Sequence, residues 1–372
     1  MAQIEFSEEQ TMLLETAADF CRNTSPIEKV RANIETDNGF DDDLWREIAG
    51  LGWLGIAVPE EYGGLGLGLA DVVPVVESMG RYLMSSPYVA STLAIHALVT
   101  SGSDTQKQSW LPKLVEGAVG SVALTEEDGS WRLDEISARG RLEGGVLALS
   151  GEKRFVLDAQ LADVIVASVE IDGAARLVLI EKAHLASDAL CREVVIDETR
   201  RSFALSLDGI SLPEANLLPF AQLHAIELAA LLLIAAEISG GLTGVLHVIV
   251  EYLNTRKQFD RLIGSYQSLK HPTVQILLDG EAAKSHLYHA ATLLARGDEA
   301  GFENAVRAAK AHGSAAFAYA GDRAVQFHGG FGFTYECDAQ LFLRRALWCQ
   351  YQFGDERYQR QLLAPLMLDK AS

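Results

Sequence analysis

The amino-acid sequence predicts an α+β protein in which a central β domain lies between two helical domains. Apolar residues recur at helical spacing before about residue 115 and again after Ala221. Between them, short apolar runs separated by turn residues end near Pro219, a pattern typical of strands. Because helices and strands are grouped rather than alternating, the order argues against a Rossmann sheet. The expected N-terminal helical domain, β domain and C-terminal helical bundle cover residues 1–118, 119–220 and 221–372.

The N-terminal domain begins with a helix signal. Ser7 and Gln10 have the spacing of a capping box, and apolar residues at helical spacing follow them. A second helical stretch is predicted from about Asp71 to Thr100. The glycine-rich run Gly63–Gly68 between them does not follow a strand in the pattern of a dinucleotide-binding loop.

The β domain is predicted from four apolar runs bounded by turn residues. These runs are Ser121–Thr125, Gly145–Ser150, Asp163–Ser168 and Arg176–Ile180.

The C-terminal domain is predicted as long helices over about 221–253, 266–296, 299–327 and 338–352. Its most apolar run, Leu228–Ile238, is bounded by Glu227 and Glu237. We expect a buried core helix there, because the run is too short to span a bilayer.

Composition excludes several classes of function. The chain has 372 residues and a net charge of −20, which argues against nucleic acid or an anionic membrane as a partner. Its four cysteines show no CxxC spacing and its nine histidines no ligand cluster, so we predict no metal site. No signal peptide is recognised at the N-terminus. Together these features predict a cytoplasmic protein with reduced thiols.

The most informative motif is Gln326–Gly332, in which Gly329 and Gly330 form a pair. Glycine has no Cβ, so a ligand can approach the backbone closely while the Gln326 amide stays free to bind it. The alternative is an ordinary helix-ending turn with glycine at the C-cap.

A second motif lies about 70 residues earlier, with Arg256, Phe259 and, further along, Gln267. An arginine at a helix end can bind a phosphate through two hydrogen bonds. The alternative is a solvated helix C-terminus whose basic residues complement the helix dipole.

Taken together, the two motifs resemble those of the acyl-CoA dehydrogenase family. Weaker similarity extends to Val58–Gly64, Ala123–Glu126 and Gly151–Phe155. The resemblance implies an N-terminal helical domain, a β-sandwich or barrel, and a C-terminal four-helix bundle. It also implies FAD as cofactor, α,β-dehydrogenation of an acyl-CoA thioester, and an electron-transfer flavoprotein as electron acceptor.

The family forms dimers or tetramers whose FAD sites are built from two chains. The resemblance therefore implies one set of residues that reaches the neighbouring chain's FAD: Arg256, Phe259, Gln267, Gln326, Gly329 and Gly330. Thr125 and Ser130 would contact the chain's own flavin ring.

The chain departs from the family at the catalytic base. The family carries this carboxylate just before the residue matching Gly354, or 26 residues before the motif arginine. Phe353 and Ala230 occupy those positions, so no catalytic residue is assigned. Displaced carboxylates remain candidates, namely Glu227, Glu237, Asp355 and Glu356.

The chain's own flavin-side motifs are also altered. The segment Thr125–Trp131 lacks the proline of the family pattern, and Leu157 replaces a hydroxyl-bearing residue. Asp260 stands where a glycine is expected after Phe259.

The pattern of retained and lost residues favours a non-catalytic subunit of a heteromeric α2β2 acyl-CoA dehydrogenase, paired with a paralogous subunit. Heteromers of this kind in bacterial sterol side-chain degradation suggest a steroid-type acyl-CoA. Two alternatives stay open. One is a self-sufficient homotetramer with a relocated carboxylate, and the other is a flavin-free acyl-thioester binding or scaffold protein.

Overall fold

The computed structural model describes residues 8–368. Six helices come first: α1 (Glu8–Thr24), α2 (Ile27–Ile34), α3 (Asp42–Gly50), α4 (Val73–Arg81), α5 (Tyr88–Ser101) and α6 (Asp104–Val115). Nine strands follow: β1 (Gly120–Ala123), β2 (Arg139–Glu143), β3 (Val146–Ser150), β4 (Glu152–Leu157), β5 (Val164–Ile171), β6 (Ala174–Glu181), β7 (Leu190–Glu193), β8 (Ser202–Ser206) and β9 (Ser211–Pro213). The last elements are α7 (Leu223–Thr255), β10 (Lys257–Gln258), β11 (Arg261–Leu262), α8 (Gln267–Ala295), α9 (Glu299–His328), α10 (Asp338–Tyr351) and α11 (Glu356–Leu368).

The predicted order of helices, strands and helices is confirmed. All four predicted strands are present, as β1, β3, β5 and β6, and the four predicted C-terminal helices are α7 to α10. The elements that were not predicted are the charged strand β2, the strands β4, β7, β8 and β9, the β10–β11 hairpin and the helix α11. The capping box expected at Ser7 lies outside the described residues.

The continuous helix predicted from Asp71 to Thr100 is wrong. The chain leaves helical geometry after Arg81, and α5 begins only at Tyr88. Leu83 has a positive φ of 51° and Pro87 lacks an N–H, so neither residue can continue a regular helix.

The chain divides into two compact units. One comprises the described residues of Met1–Ala32, together with Ala70–Met84 and Leu231–Ser372; the other comprises Asn33–Leu69 and Ser85–Ala230. The domain boundaries expected at residues 118 and 220 stay a prediction.

The second unit is built on two sheets. In the larger one, strands β1, β5, β2, β3 and β9 lie side by side in that order, with β6 also pairing with β5. The smaller sheet has the order β4, β8, β7. β5 consists largely of buried β-branched residues, which suits a central strand covered on both faces, and α5 packs against it and β1.

In the first unit, α9 packs against α8, α10 and α11, and α4 crosses α7 at close range. A Cβ on Gly80 would lie 2.2 Å from the Glu237 carbonyl oxygen, and one on Gly240 would lie 1.8 Å from that of Glu77. Only glycine allows this approach. The buried Glu77 carboxylate accepts hydrogen bonds from Ser239 and Tyr288, and Lys284 Nζ lies 3.7 Å from it, so its charge at the crossing is paired.

The helix α7 is long and apolar enough to cross a membrane by length and composition. However, 94% of its most apolar window is buried inside the protein, as in a core helix. The expectation of a buried core helix at Leu228–Ile238 is therefore confirmed. All four cysteines are free thiols.

Candidate functional site

The two sequence motifs meet at one cleft in the first unit. The end of α7 and the hairpin after it supply one wall, and the end of α9 supplies the other. The cleft has a volume of about 560 Å³ and is lined by Tyr252, Arg256, Gln258, Ile263, Leu269, Phe327, His328, Gly329, Gly330 and Phe331. Segments about 70 residues apart in sequence thus form a single concave site.

Arg256 lies at the junction between α7 and the β10–β11 hairpin. The Ile263 amide donates to its carbonyl oxygen over 2.9 Å, which closes the hairpin on the helix end. The Arg256 guanidinium has no ion pair or side-chain hydrogen bond within residues 8–368. Since arginine stays charged in proteins, this is a cation available to an anionic ligand.

The glycine pair opens the opposite wall. Gly329 caps α9 with φ 60° and ψ −140°, a conformation that L side chains rarely adopt. A Cβ built on Gly329 or Gly330 would meet nothing within 4 Å. The backbone is therefore accessible to a ligand, as the ligand-approach interpretation of the motif requires.

Three predicted binding residues lie on the surface around this region but do not line the cleft. Phe259 is 88% exposed at the hairpin tip, where it and Asp260 have φ values of 53° and 58°. Gln267 is exposed at the first residue of α8, and Gln326 is exposed in the last turn of α9. Their role in cofactor binding stays a prediction.

Thr125 and Ser130 belong to the second unit. The Thr125 carbonyl oxygen accepts a 2.9 Å hydrogen bond from the Arg154 amide, which joins the segment after β1 to β4. The Ser130 hydroxyl donates to Glu135 over 3.0 Å, so it is engaged within its own loop. Their proposed contact with flavin is likewise untested.

A buried ion pair that sequence reasoning missed supports these strands. Lys153 is fully buried, and its Nζ donates to Glu126 Oε1 over 2.6 Å and to Ser168 Oγ over 2.9 Å. Burial lowers the pKa of Lys153, whereas hydrogen bonds from Lys153 and Ser137 hold the pKa of Glu126 below its usual range despite burial. Lys153 and Glu126 both lie in segments that resemble the family's flavin-side motifs. That resemblance was the sequence signal from which the ion pair could have been found.

The end of β4 lacks a side-chain donor. Leu157 has no hydroxyl, and its carbonyl oxygen already accepts a 2.6 Å hydrogen bond from Ser121 Oγ. Two residues earlier, Phe155 is 44% exposed with φ 55°. The side chain at position 157 therefore offers a ligand only apolar contact and no hydrogen bond.

Neither of the two positions at which the resemblance places a base carries a side chain that can take a proton. Ala230 is fully buried in α7, and Phe353 lies between α10 and α11 with φ 53°. Among the candidate replacements, Glu237 is 5% exposed and pairs with Arg345 over 2.5 Å. Its carboxylate is therefore occupied by a buried cation.

Asp355 and Glu356 have structural roles at the start of α11. The Asp355 carboxylate accepts a 2.8 Å hydrogen bond from the Tyr358 amide, as a helix N-cap does. Glu356 lies in the first turn, 3.8 Å from Arg360. Glu227 lies 3.6 Å from His224, with 14% of its side chain exposed.

A buried lysine, Lys310, stabilises the loop that contains Phe353. Lys310 Nζ donates to the carbonyl oxygens of Gly354 (2.8 Å) and Gln350 (3.0 Å) and to Ser314 Oγ (3.0 Å). Burial lowers the pKa of Lys310 to about 7, and the nearby Cys349 and Asp355 oppose this shift. Gln359 Nε2 donates to the Phe353 carbonyl oxygen over 2.6 Å. The Phe353 and Gly354 carbonyl oxygens of this loop therefore both have hydrogen-bond donors within the protein.

No group of three or more histidine, cysteine, aspartate or glutamate side chains in the described part of the chain is placed to hold a metal ion.

Comparisons with known proteins agree with this architecture. The acyl-CoA dehydrogenase N-terminal domain model matches residues 7–118, and the C-terminal domain model matches residues 230–368. The chain is 31% identical over 353 residues to acyl-CoA dehydrogenase FadE12 of Mycobacterium tuberculosis, with 89% of this chain and 88% of that protein covered.

Two solved structures share the fold over nearly the whole chain. A chain of the Tcur3481–Tcur3483 steroid ACAD variant is 26% identical with a TM-score of 0.88, covering 98% of this chain and 99% of that one. A chain of the ChsE4–ChsE5 complex from Mycobacterium tuberculosis is 23% identical with a TM-score of 0.89 and the same coverage, and supports the fold alone. The predicted acyl-CoA dehydrogenase-like α+β fold is thus confirmed, and this chain belongs to the acyl-CoA dehydrogenase family of oxidoreductases.

Proposed function

We propose that this chain is the non-catalytic subunit of a heteromeric acyl-CoA dehydrogenase, in which it completes the FAD site of a paralogous subunit within an α2β2 assembly. One observation carries the proposal. Ala230 and Phe353 occupy both positions of the family's base, while Arg256 and the glycine pair keep an open ligand cleft. In such an assembly the base comes from the other chain.

The cleft residues fit the nucleotide end of FAD. The Arg256 guanidinium can bind pyrophosphate oxygens, and the backbone at Gly329 and Gly330 leaves room for close approach. Phe259, Gln267 and Gln326 would extend this contact surface around the cleft. FAD, when bound, accepts the hydride that leaves the substrate β-carbon.

The chain's own ring-side residues fit FAD less well. Thr125 and Ser130 would contact the flavin ring, yet the Ser130 hydroxyl donates to Glu135. Leu157 provides no hydroxyl for the ring, and a lost polar contact in a buried site is costly. The balance favours a chain that supports a neighbour's cofactor over one that runs its own reaction.

The geometry also counts against a relocated base. A general base must approach the substrate with an available carboxylate. Glu237 is paired with a buried arginine, and Asp355 caps a helix. Of the other two candidates, Glu356 lies 3.8 Å from Arg360 and Glu227 lies 3.6 Å from His224.

The substrate of the assembly is proposed to be an acyl-CoA thioester that loses hydrogen from its α- and β-carbons. Similarity to the Tcur3481–Tcur3483 steroid ACAD favours a bulky steroid-type acyl group. Electrons would pass to an electron-transfer flavoprotein. The net charge of −20 and the burial of α7 favour a soluble, cytoplasmic protein with no nucleic-acid or membrane partner.

The test is to purify the chain alone and after co-expression with a paralogue encoded nearby. We expect the lone chain to be colourless and inactive, and the complex to carry FAD and oxidise acyl-CoA. Removing the carboxylate of the paralogue's base should abolish turnover. A lone chain that binds one FAD per protomer and oxidises acyl-CoA would contradict the proposal.

The alternatives give different results in the same system. For a self-sufficient enzyme, Gln substitution at Glu227, Glu237 or Asp355 should reduce turnover about 100-fold at one position, as for loss of a general base. A complex that stays colourless after co-expression would instead indicate a flavin-free binding or scaffold protein.

A further inference from the structure

Two aromatic rings that the sequence analysis did not single out, Tyr252 and His328, are stacked in the cleft. Tyr252 lies in the last turns of α7, and its carbonyl oxygen accepts a 2.9 Å hydrogen bond from the Arg256 amide, which places the two residues next to each other at the helix end. His328 is the last residue of α9, directly before Gly329. Their ring centroids are 4.0 Å apart with an interplanar angle of 22°, and both rings line the cleft.

The hydrogen bond of His328 determines its tautomer. His328 Nδ1 lies 2.7 Å from the Ala324 carbonyl oxygen. A carbonyl oxygen can only accept, so Nδ1 carries the hydrogen. Burial lowers the pKa of His328, which favours the neutral ring. In a neutral ring protonated at Nδ1, Nε2 is an acceptor without a proton.

This acceptor is nearly buried but not fully enclosed. His328 is 6% exposed, and the hydrogen bond of its ring within residues 8–368 is the one at Nδ1. Nε2 is not among the fully enclosed, unsatisfied polar atoms of that region, and the ring that carries it lines the cleft. Because Tyr252 covers one face of the imidazole, a ligand meets its edge. A nearly buried acceptor of this kind requires a donor.

The two polar groups of the cleft therefore select for different chemistry. The Arg256 guanidinium binds phosphate oxygens, which are acceptors. An unprotonated Nε2 cannot bind a phosphate oxygen and needs an N–H or O–H group. A nucleoside diphosphate carries both kinds of group, since its ribose hydroxyls and base amino group are donors.

We propose that His328 is a specificity-determining residue of this cleft. Arg256 holds the diphosphate, and His328 Nε2 accepts a hydrogen bond from the nucleoside, with Tyr252 keeping the imidazole in place. This inference rests on the proposed function, in which the nucleoside diphosphate is part of the neighbouring chain's cofactor.

The test uses the full chain labelled with ¹⁵N-histidine and two probes, ADP and inorganic pyrophosphate. We expect ADP to shift the Nε2 resonance of His328, which is identified by its loss in His328→Asn. Pyrophosphate should bind at Arg256 and leave that resonance in place. An ADP addition that does not move the resonance, or a pyrophosphate shift of equal size, overturns the inference.

A pair of variants separates the two ring nitrogens. Asn at position 328 can still donate to the Ala324 carbonyl from near the Nδ1 position, but it offers no acceptor at Nε2. Gln places an amide near Nε2. We expect His328→Asn to lower ADP affinity about 3- to 10-fold, as for one hydrogen bond, with pyrophosphate affinity unchanged. His328→Gln should retain more ADP affinity than His328→Asn.

If His328→Asn loses equal affinity for ADP and for pyrophosphate, His328 does not determine specificity and the proposal is overturned. Unfolding midpoints identify any variant that fails to fold, and the resonance test on the unmodified protein then decides alone. If the complex carries FAD but ADP leaves the His328 resonance of the lone chain unchanged, only this inference is overturned. An ADP-responsive His328 in a chain whose complex holds no FAD sinks only the proposed function.

Discussion

Two regions of the molecule differ in whether their polar groups have partners. One is the cleft at the ends of α7 and α9, and the other is the loop between α10 and α11. In the cleft, the Arg256 guanidinium and His328 Nε2 have no partner among the described residues, and the backbone at Gly329 is open. In the loop, the chain itself binds the Gly354 carbonyl through Lys310 and the Asp355 carboxylate through the Tyr358 amide. Unused polar groups mark a ligand site, whereas satisfied ones mark a structural element.

This difference bears on the proposed loss of the base in this chain. The loop lies where the resemblance places a base, and Phe353 gives it no ionisable group at that position. Its hydrogen bonds hold it in a defined shape. In the cleft, by contrast, Arg256 has no ion pair or side-chain hydrogen bond among the described residues. The comparison favours a stabilising role for the loop and supports the proposed binding role of the cleft, and the following predictions test each half.

The largest effect is expected at the loop, from Lys310→Met. The change leaves the Gly354 and Gln350 carbonyls and the Ser314 hydroxyl without their buried donor. We expect a loss of about 2–3 kcal/mol in the free energy of unfolding, since unsatisfied buried groups cost about 1–3 kcal/mol. Urea unfolding measures it. The control is Lys270→Met at an exposed position of α8, and equal midpoints for the two variants would refute the structural role.

The same lysine predicts a pH dependence of stability. Burial lowers the pKa of Lys310 from its ordinary 10.5 to about 7. Between these values the unfolded chain binds a proton that the folded chain does not, so this group makes the free energy of unfolding rise with pH. That contribution is lost as the pH falls toward 7. Unfolding curves at pH 7 to 10 should rise more steeply for the unmodified protein than for Lys310→Met, and parallel pH profiles would show that the ammonium persists.

A smaller effect is expected from Arg256→Ala in the cleft. It should concern ligand affinity rather than the free energy of unfolding. Loss of charge-assisted hydrogen bonds should weaken binding of ADP and of pyrophosphate about 10- to 100-fold. The unfolding midpoint should hardly change, because the Arg256 guanidinium has no ion pair or hydrogen bond with residues 8–368 that would be lost. Arg261→Ala, on the same hairpin but outside the cleft lining, is the matched control for calorimetric titration. A similar loss of affinity in Arg256→Ala and Arg261→Ala would mean that ligand binding depends only on the overall charge of the hairpin.

The smallest effect is expected at the hairpin tip from Asp260→Gly. Asp260 has a φ of 58°, and glycine adopts this conformation without strain, so the hairpin should be stabilised by up to about 1 kcal/mol. The change also removes a carboxylate from the phosphate-binding side. Asp260→Asn removes the charge while keeping a side chain, which separates the two effects. No gain in unfolding midpoint for the glycine variant would show that the turn is not strained.

Much of the fold follows from local pattern. Apolar periodicity predicts α7 to α10 and the strands β1, β3, β5 and β6, because each buries a regular face or a continuous run. The pattern does not detect β2, in which every second residue is an exposed charged one, or the break near Leu83, which depends on a single positive φ. Such features are set by neighbouring strands and by backbone geometry rather than by composition.

The candidate site divides in a similar way. The motif residues Arg256, Gly329 and Gly330 can be read from sequence, and so can Ala230 and Phe353 at the positions where the resemblance places a base. The burial of Lys310 and the stacking of His328 on Tyr252 cannot, since Gln350 and Gly354 lie 40 or more residues from Lys310 and Tyr252 lies still farther from His328. A tyrosine four residues before the motif arginine and a histidine beside the glycine pair were the signals available.

By itself, the sequence determined the family, the order of helices and strands, and which side chains can carry charge or protons at each motif. These properties belong to single residues and short segments, so they survive without knowledge of contacts. The tertiary structure alone decided which polar groups are satisfied and which are not: Glu237 is neutralised by Arg345, Asp355 caps a helix, and the His328 ring lines the cleft with only Nδ1 hydrogen-bonded among the described residues. The physical reason is that hydrogen bonding and burial depend on residues far apart in the chain, and they set whether a group stabilises the fold or binds a ligand.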